Sequence, residues 1–147
     1  MNARTVQMAL RGTSAALAVL AAVQVLLAGS FLSGHYPVLR WHMIAGFSMV
    51  VLAVVQTVVI FLPGRRERPS SLLRVGIMLP IALAVQGVLG VLRILELHVP
   101  IGVVMVIGLS QMANWAWRTP LPSRSAPQDT GPAGTEAEHT GVGEVVA

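Results

Sequence analysis

The sequence predicts an all-α integral membrane protein: a four-helix bundle built from two repeated two-helix hairpins, followed by a disordered C-terminal tail. Three observations predict it. Of the 147 residues, 54% are hydrophobic and 11% charged, whereas a soluble domain carries roughly 25% charged residues. The apolar residues fall into four runs, each of the roughly 20 residues a helix needs to cross a hydrocarbon core about 30 Å thick. A short pattern also occurs twice: Gln24-x4-Gly29 then His42-x3-Gly46, and Gln86-x3-Gly90 then His98-x3-Gly102.

The spans are expected at about 12–33, 41–62, 75–95 and 99–117. Lipid offers no hydrogen-bond partner, so each span must satisfy its own backbone as a helix. Arg4 and Arg11 before the first run give it the outline of a signal peptide. The run continues to about Leu32, however, and Leu27-Ala28-Gly29 is a poor cleavage site, so it is read as the first span. The first hairpin turn is long, Ser33–Arg40, and Pro63-Gly64 stops the second helix. Pro80 falls inside the third span and is expected to kink it. The second hairpin is expected to be tight around Glu96-Leu97, with Pro100 in the first turn of the fourth helix, where its missing N–H costs nothing. Residues 1–118 thus form the bundle. The stretch 119–147 is rich in Pro, Gly, Ser, Thr and acidic residues, without an apolar period, and reads as a disordered cytoplasmic tail in which His139 is a solvated residue.

Arginine placement sets the orientation. Arg4, Arg11, Arg65, Arg66, Arg68, Arg74, Arg118 and Arg124 lie on one side, and only Arg40 and Arg93 near the other. The expected location is a bacterial cytoplasmic membrane, multi-pass, with both termini cytoplasmic. Trp41 then sits at one interface and Trp115 and Trp117 at the other, as an aromatic belt requires. The pI near 11.4 comes from these flanking arginines and carries no implication of nucleic-acid binding. With no Cys in the chain, disulfides, iron–sulfur clusters, covalent heme attachment and thiol catalysis are excluded.

The duplicated pattern carries the candidate chemistry. It places one His at the outer start of each of helices two and four. An ionisable group within a span is a functional candidate by default, and two imidazoles in one bundle can hold a heme from both faces. His42 and His98 are therefore the candidate iron ligands, with heme b as the cofactor. Zinc or copper would need further donors, for which only His35 and Glu96 are at hand. Gly46 and Gly102 lie one turn below each His on the same face, where a missing side chain makes room for a flat macrocycle. Gly29 and Gly90 can do the same on helices one and three. The competing reading is that these glycines let helices pack closely. Arg40 and Arg93, the two outer-side cations, suit heme propionates. Equally, Arg93 can pair with Glu96 and Arg40 can snorkel to headgroups. Gln24 and Gln86 must find partners across the bundle or at a cofactor edge, and Gln56 and Gln111 echo the repeat more weakly.

Each half, Gln-x-x-Leu-x-Gly or Gln-x-x-Leu-Gly followed by His-x3-Gly, resembles the four-helix halves of heme A synthase, and also b-type membrane cytochromes with a bis-His core. It is most similar to a family of small uncharacterised four-helix bacterial membrane proteins. The resemblance covers about Thr13–Trp117 and implies axial positions for His42 and His98. The chain has one half rather than two and lacks the outer-loop Cys pair and the catalytic Glu of many synthases, unless Glu96 serves. The expectation is accordingly a heme-binding protein for electron transfer or heme handling. It would not be an enzyme by itself, though it would suit an oxidoreductase component. Its partners would be the bilayer, quinol or a redox protein, and a homo-oligomer or larger membrane complex. The alternative is a cofactor-free subunit, scaffold or assembly factor.

Overall fold

The structure, a computed structural model, describes residues 3–61 and 70–119. They form four helices: α1 (Ala3–Leu32), α2 (Val38–Phe61), α3 (Ser70–Val91) and α4 (Leu95–Arg118). All four are long and apolar enough to cross a membrane. The shortest, α3, has 22 residues and at about 1.5 Å per residue matches a hydrocarbon core about 30 Å thick. The chain is a multi-pass membrane four-helix bundle. The expected tail, the Pro63-Gly64 stop and the arginines at 65, 66, 68 and 124 lie outside the described residues.

The helices run further, or start elsewhere, than the apolar runs alone suggest. α1 begins at Ala3 rather than near Gly12, because helical hydrogen bonding continues through the interfacial Arg4 and Arg11. The second hairpin turns at Leu92–Ile94, not at Glu96-Leu97, and α4 starts at Leu95. His98 is thereby inside α4, and Pro100 lies a turn deeper than its expected place. Both hairpins open the same way. After α1, His35 N–H donates to Ser30 O and Gly34 N–H to Phe31 O. After α3, Ile94 N–H donates to Leu89 O and Arg93 N–H to Gly90 O. This is the paired bonding that closes a helix through one left-handed residue. Gly34 takes that conformation at φ 94°, and Arg93 takes it at φ 59°. For a residue with a Cβ the left-handed conformation costs roughly 1–2 kcal/mol.

Packing runs round the bundle: α1 against α2 and α4, α2 against α1 and α3, with α3 and α4 the loosest of the adjacent pairs. α2 and α4 therefore face each other across the diagonal. Leu17, Ala21, Met49, Ala53, Leu83 and Leu109 form the main core, and Val6, Leu10 and Ile60 a second cluster. Most other large apolar side chains point outward, where lipid is as good a solvent as protein. Association must therefore come from close packing and polar bonds. Small residues supply the closeness. Gly76 on α3 lies so near α2 that a Cβ there would be 3.1 Å from Ile60 Cδ1.

Pro80 sits inside α3 and cannot donate to the carbonyl four residues back, that of Gly76. The Thr57 hydroxyl, reaching over from α2, bonds that Gly76 oxygen instead. A neighbouring hydroxyl thus satisfies the backbone group that the proline releases, as a lipid environment demands. At the opposite end of the bundle from the histidines, Arg11 closes the ring of helices. Its Nε donates to Ala116 O at 3.0 Å and its Nη2 to Trp117 O at 3.2 Å, with the guanidinium 5.4 Å from the Trp117 ring. The charge thus meets the orphan carbonyls at the C-terminal end of α4.

Candidate functional site

The repeat is expressed in space as well as in sequence. Met49 and Met105 both follow their His by seven residues, Ala53 and Leu109 by eleven, and Gln56 and Met112 by fourteen. All six are buried or pack against the core, and Gln56 donates through Nε2 to Met112 Sδ at 3.3 Å. Equivalent positions of α2 and α4 thus look at each other across one axis. Gln111, read from the sequence as the echo of Gln56, is exposed; the true counterpart of Gln56 is Met112.

The same symmetry brings His42 and His98 together. Their ring centroids are 6.3 Å apart and the planes are inclined at 65°. Both are half-buried near the start of their helices, so the duplicated hairpins deliver two imidazoles to one spot at one end of the bundle.

Gln24 and Gln86 act within their own hairpins. Gln24 Nε2 donates to His42 O at 3.0 Å, and Gln86 Nε2 donates to His98 O. A carbonyl inside a helix already accepts from the residue four further on, which is Gly46 in one repeat and Gly102 in the other. The amide must therefore lie against that glycine. A Cβ on Gly46 would meet Gln24 Nε2 at 2.8 Å, and one on Gly102 would meet Gln86 Nε2 at 2.9 Å. The Gln, the His carbonyl and the Gly form a clasp that locks α1 to α2 and α3 to α4. The space at Gly46 and Gly102 is taken by glutamine amides.

The other two glycines differ from each other. A Cβ on Gly90 would lie 2.9 Å from His98 Cε1 and 3.2 Å from its Nδ1, so the imidazole rests on the Gly90 backbone. Gly29 borders open space. His98 Nδ1 also lies 2.9 Å from Gln86 O. A carbonyl only accepts, so Nδ1 carries a proton, and the tautomer this selects in the neutral ring has its lone pair on Nε2. The His42 ring lies beside the backbone of Gln24, as the His98 ring lies beside that of Gln86, though without so well formed a bond, and Oε1 of Gln24, Gln56 and Gln86 are buried without a partner. Arg40 and Arg93 are exposed at the same end of the bundle, and His35 and Glu96 are exposed beside them.

Comparison with models of known families, with curated proteins and with solved structures finds no match. Among the described residues, no group of three or more His, Cys, Asp or Glu is placed to hold a metal ion.

Sequence reasoning missed three functional contacts. The Thr57–Gly76 bond was signalled by Pro80, which frees one identifiable carbonyl. Arg11 as a cap on α4 had no local signal, because its partners lie 105 and 106 residues away. The seat of the His98 ring on Gly90 was hidden in the pattern, since the spacing points to a macrocycle or to close helix packing and not to a ring of the same hairpin.

Proposed function

We propose that the protein is a membrane b-type heme-binding protein in which His42 and His98 are the axial ligands. The 6.3 Å between the two ring centroids carries this reading. A metal–imidazole bond is about 2.0–2.1 Å long, and the ring centre lies roughly 1.1 Å behind the bonding nitrogen, so two rings across one metal sit about 6 Å apart. The donor set agrees, because two imidazoles suffice only for a metal that arrives with an equatorial ligand of its own. Each ring can offer one lone pair: Nε2 of His98 is left open by the bond its Nδ1 makes, and the His42 ring stands in the equivalent place of the other repeat, beside the Gln24 backbone. Arg40 and Arg93 at this end suit the propionates. That Arg93 holds a strained left-handed backbone where the first hairpin uses Gly34 favours a role for its guanidinium.

Heme bound there supplies one-electron chemistry and an iron that takes neutral donors. His42 and His98 would hold it at one end of the bundle, within reach of quinol, a redox protein or a heme donor. By the arginine distribution, the site faces outward from a bacterial cytoplasmic membrane, with both termini inside. One heme near one face does not span the bilayer, so the chain acts as an electron-transfer or heme-handling component rather than as an enzyme by itself.

A cofactor-free scaffold is favoured by one observation: the glutamine amides fill the glycine spaces of the repeat. One experiment separates the two readings. Purified in detergent and titrated with heme, the protein is expected to develop a sharp Soret band at one heme per chain, and the double variant His42→Ala/His98→Ala is expected to lose it. A protein that stays colourless favours the scaffold.

A further inference from the structure

The duplicated hairpin supplies its own control for the outer surface. Counted from their histidines, Gly108, Gln111 and Asn114 of α4 occupy the places that Leu52, Val55 and Val58 hold on α2. The first repeat is apolar there and the second is not. Gln111 and Asn114 are exposed, and so is Gly108, where an added Cβ would meet open space. Exposed Val104 and Ile107 continue the same face toward the histidine end.

Gln111 is out of place against lipid. It lies seven residues before Arg118, about 10 Å along the helix at 1.5 Å per residue, inside the level of Trp115 and Trp117. Its amide has two N–H donors and an acceptor that lipid cannot serve. The exposed hydroxyls of the helices satisfy themselves on their own backbone. Ser48 donates to Ile44 O at 2.9 Å and Ser110 to Val106 O at 2.8 Å. Neither Gln111 nor Asn114 has such a bond among the described residues.

We propose that this face of α4 is the seam of a homodimer, in which Gln111 of each copy bonds Gln111 of the other across a two-fold axis along the membrane normal. An amide is complementary to a copy of itself: each NH2 donates to the opposite carbonyl, and one contact serves both chains. Gly108, three residues nearer the histidines, lets the two helices come close. From Val104 to Asn114 the face is uncharged, so nothing at that depth selects a charged partner. Crossings centred on glycine run at about −40°, so the helix ends diverge and the two Arg118 side chains stand apart in the headgroup layer. The His42–His98 pair lies toward the opposite end of α4, and the inference is independent of the heme reading.

The chain has no Cys, so a single introduced cysteine reports its own neighbour. With Val104→Cys in the full chain, mild oxidation of cell membranes is expected to yield a disulfide-linked dimer, because that bond needs two Cα atoms within about 7 Å. Val55→Cys, at the place on α2 equivalent to Gln111, is expected to yield none. Förster transfer in lipid vesicles, between copies labelled at Leu32→Cys, reads association without the bond; Leu32 is exposed at the end of α1. Gln111→Leu, with helicity checked by circular dichroism, is expected to weaken association about tenfold, and Val55→Leu to leave it unchanged. A wild type that is monomeric even at high protein-to-lipid ratio assigns the face to a different protein and overturns the proposal. So does a dimer that Gln111→Leu does not weaken, or one that cross-links through Val55→Cys and not through Val104→Cys.

Discussion

Gln24 occupies the space that a side chain at Gly46 would need: its amide nitrogen lies 2.8 Å from where that Cβ would be. The contact explains why glycine recurs four residues after histidine. The His42 carbonyl is reached by an amide from α1, and only a bare α-carbon lets the amide in. Gly46→Ala and Gly102→Ala are each expected to push the amide off its carbonyl. The cost is expected to be about 0.6–1.7 kcal/mol, the range for interhelical hydrogen bonds in membranes. Unfolding in mixed micelles reads it. Gln24→Leu made in the Gly46→Ala background should then cost little more, since the bond is already gone. Additive losses would refute the clasp.

Thr57 and Pro80 are coupled through the Gly76 carbonyl. Thr57→Val keeps the shape and removes the donor, leaving that oxygen buried and unpaired at about 1–3 kcal/mol. Pro80→Ala restores a backbone N–H to the same oxygen. In a double-mutant cycle, Thr57→Val is therefore expected to cost at least 0.5 kcal/mol less when residue 80 is alanine, roughly the scale of coupling between contacting groups. A coupling of zero would mean that the hydroxyl serves Ala53 O alone, which it also reaches at 2.8 Å.

Arg11 joins α1 to the end of α4. Arg11→Lys preserves the charge but loses the fork that serves two carbonyls and the flat stacking on Trp117. Hydrogen exchange at the amides of residues 115–119 is expected to speed up about fivefold, equivalent to about 1 kcal/mol of local opening. The His42–His98 end should keep its exchange rates.

Gln56 is 3% exposed, bonds only a thioether and leaves its carbonyl oxygen unpaired. Gln56→Met copies the residue that the second repeat already has at this depth. It is expected to leave stability unchanged or raise it by about 1 kcal/mol, because removing a buried unpaired oxygen offsets the lost weak bond. A clear loss of stability would show that the amide has a partner worth more than the Met112 sulfur.

Much of this was legible in the chain. Four spans, their order and the duplication followed from run length and from the spacing of Gln, His and Gly. That His42 and His98 stand at the same end followed from the repeat. The boundaries were harder, because a helix does not end where hydrophobicity ends. α1 continues through Arg4 and Arg11, and α4 begins at Leu95 because Arg93 accepts a left-handed turn that its residue type does not announce. The role of Gly46 and Gly102 was legible only in part. Periodicity places them on the histidine face, but which neighbour fills the gap depends on the rotation of α1 and α3, and no short-range pattern encodes that. Gln111 was misread for a similar reason: spacing from His98 put it one residue off the buried register that Met112 occupies.

Whether His42 and His98 share one iron is tested most directly by low-temperature electron paramagnetic resonance of the heme-loaded ferric protein. A low-spin bis-imidazole signal in the wild type, converted to high spin by His42→Ala, is the predicted result. Only high-spin or adventitious heme in the wild type, or a low-spin signal that survives His98→Ala, would contradict it.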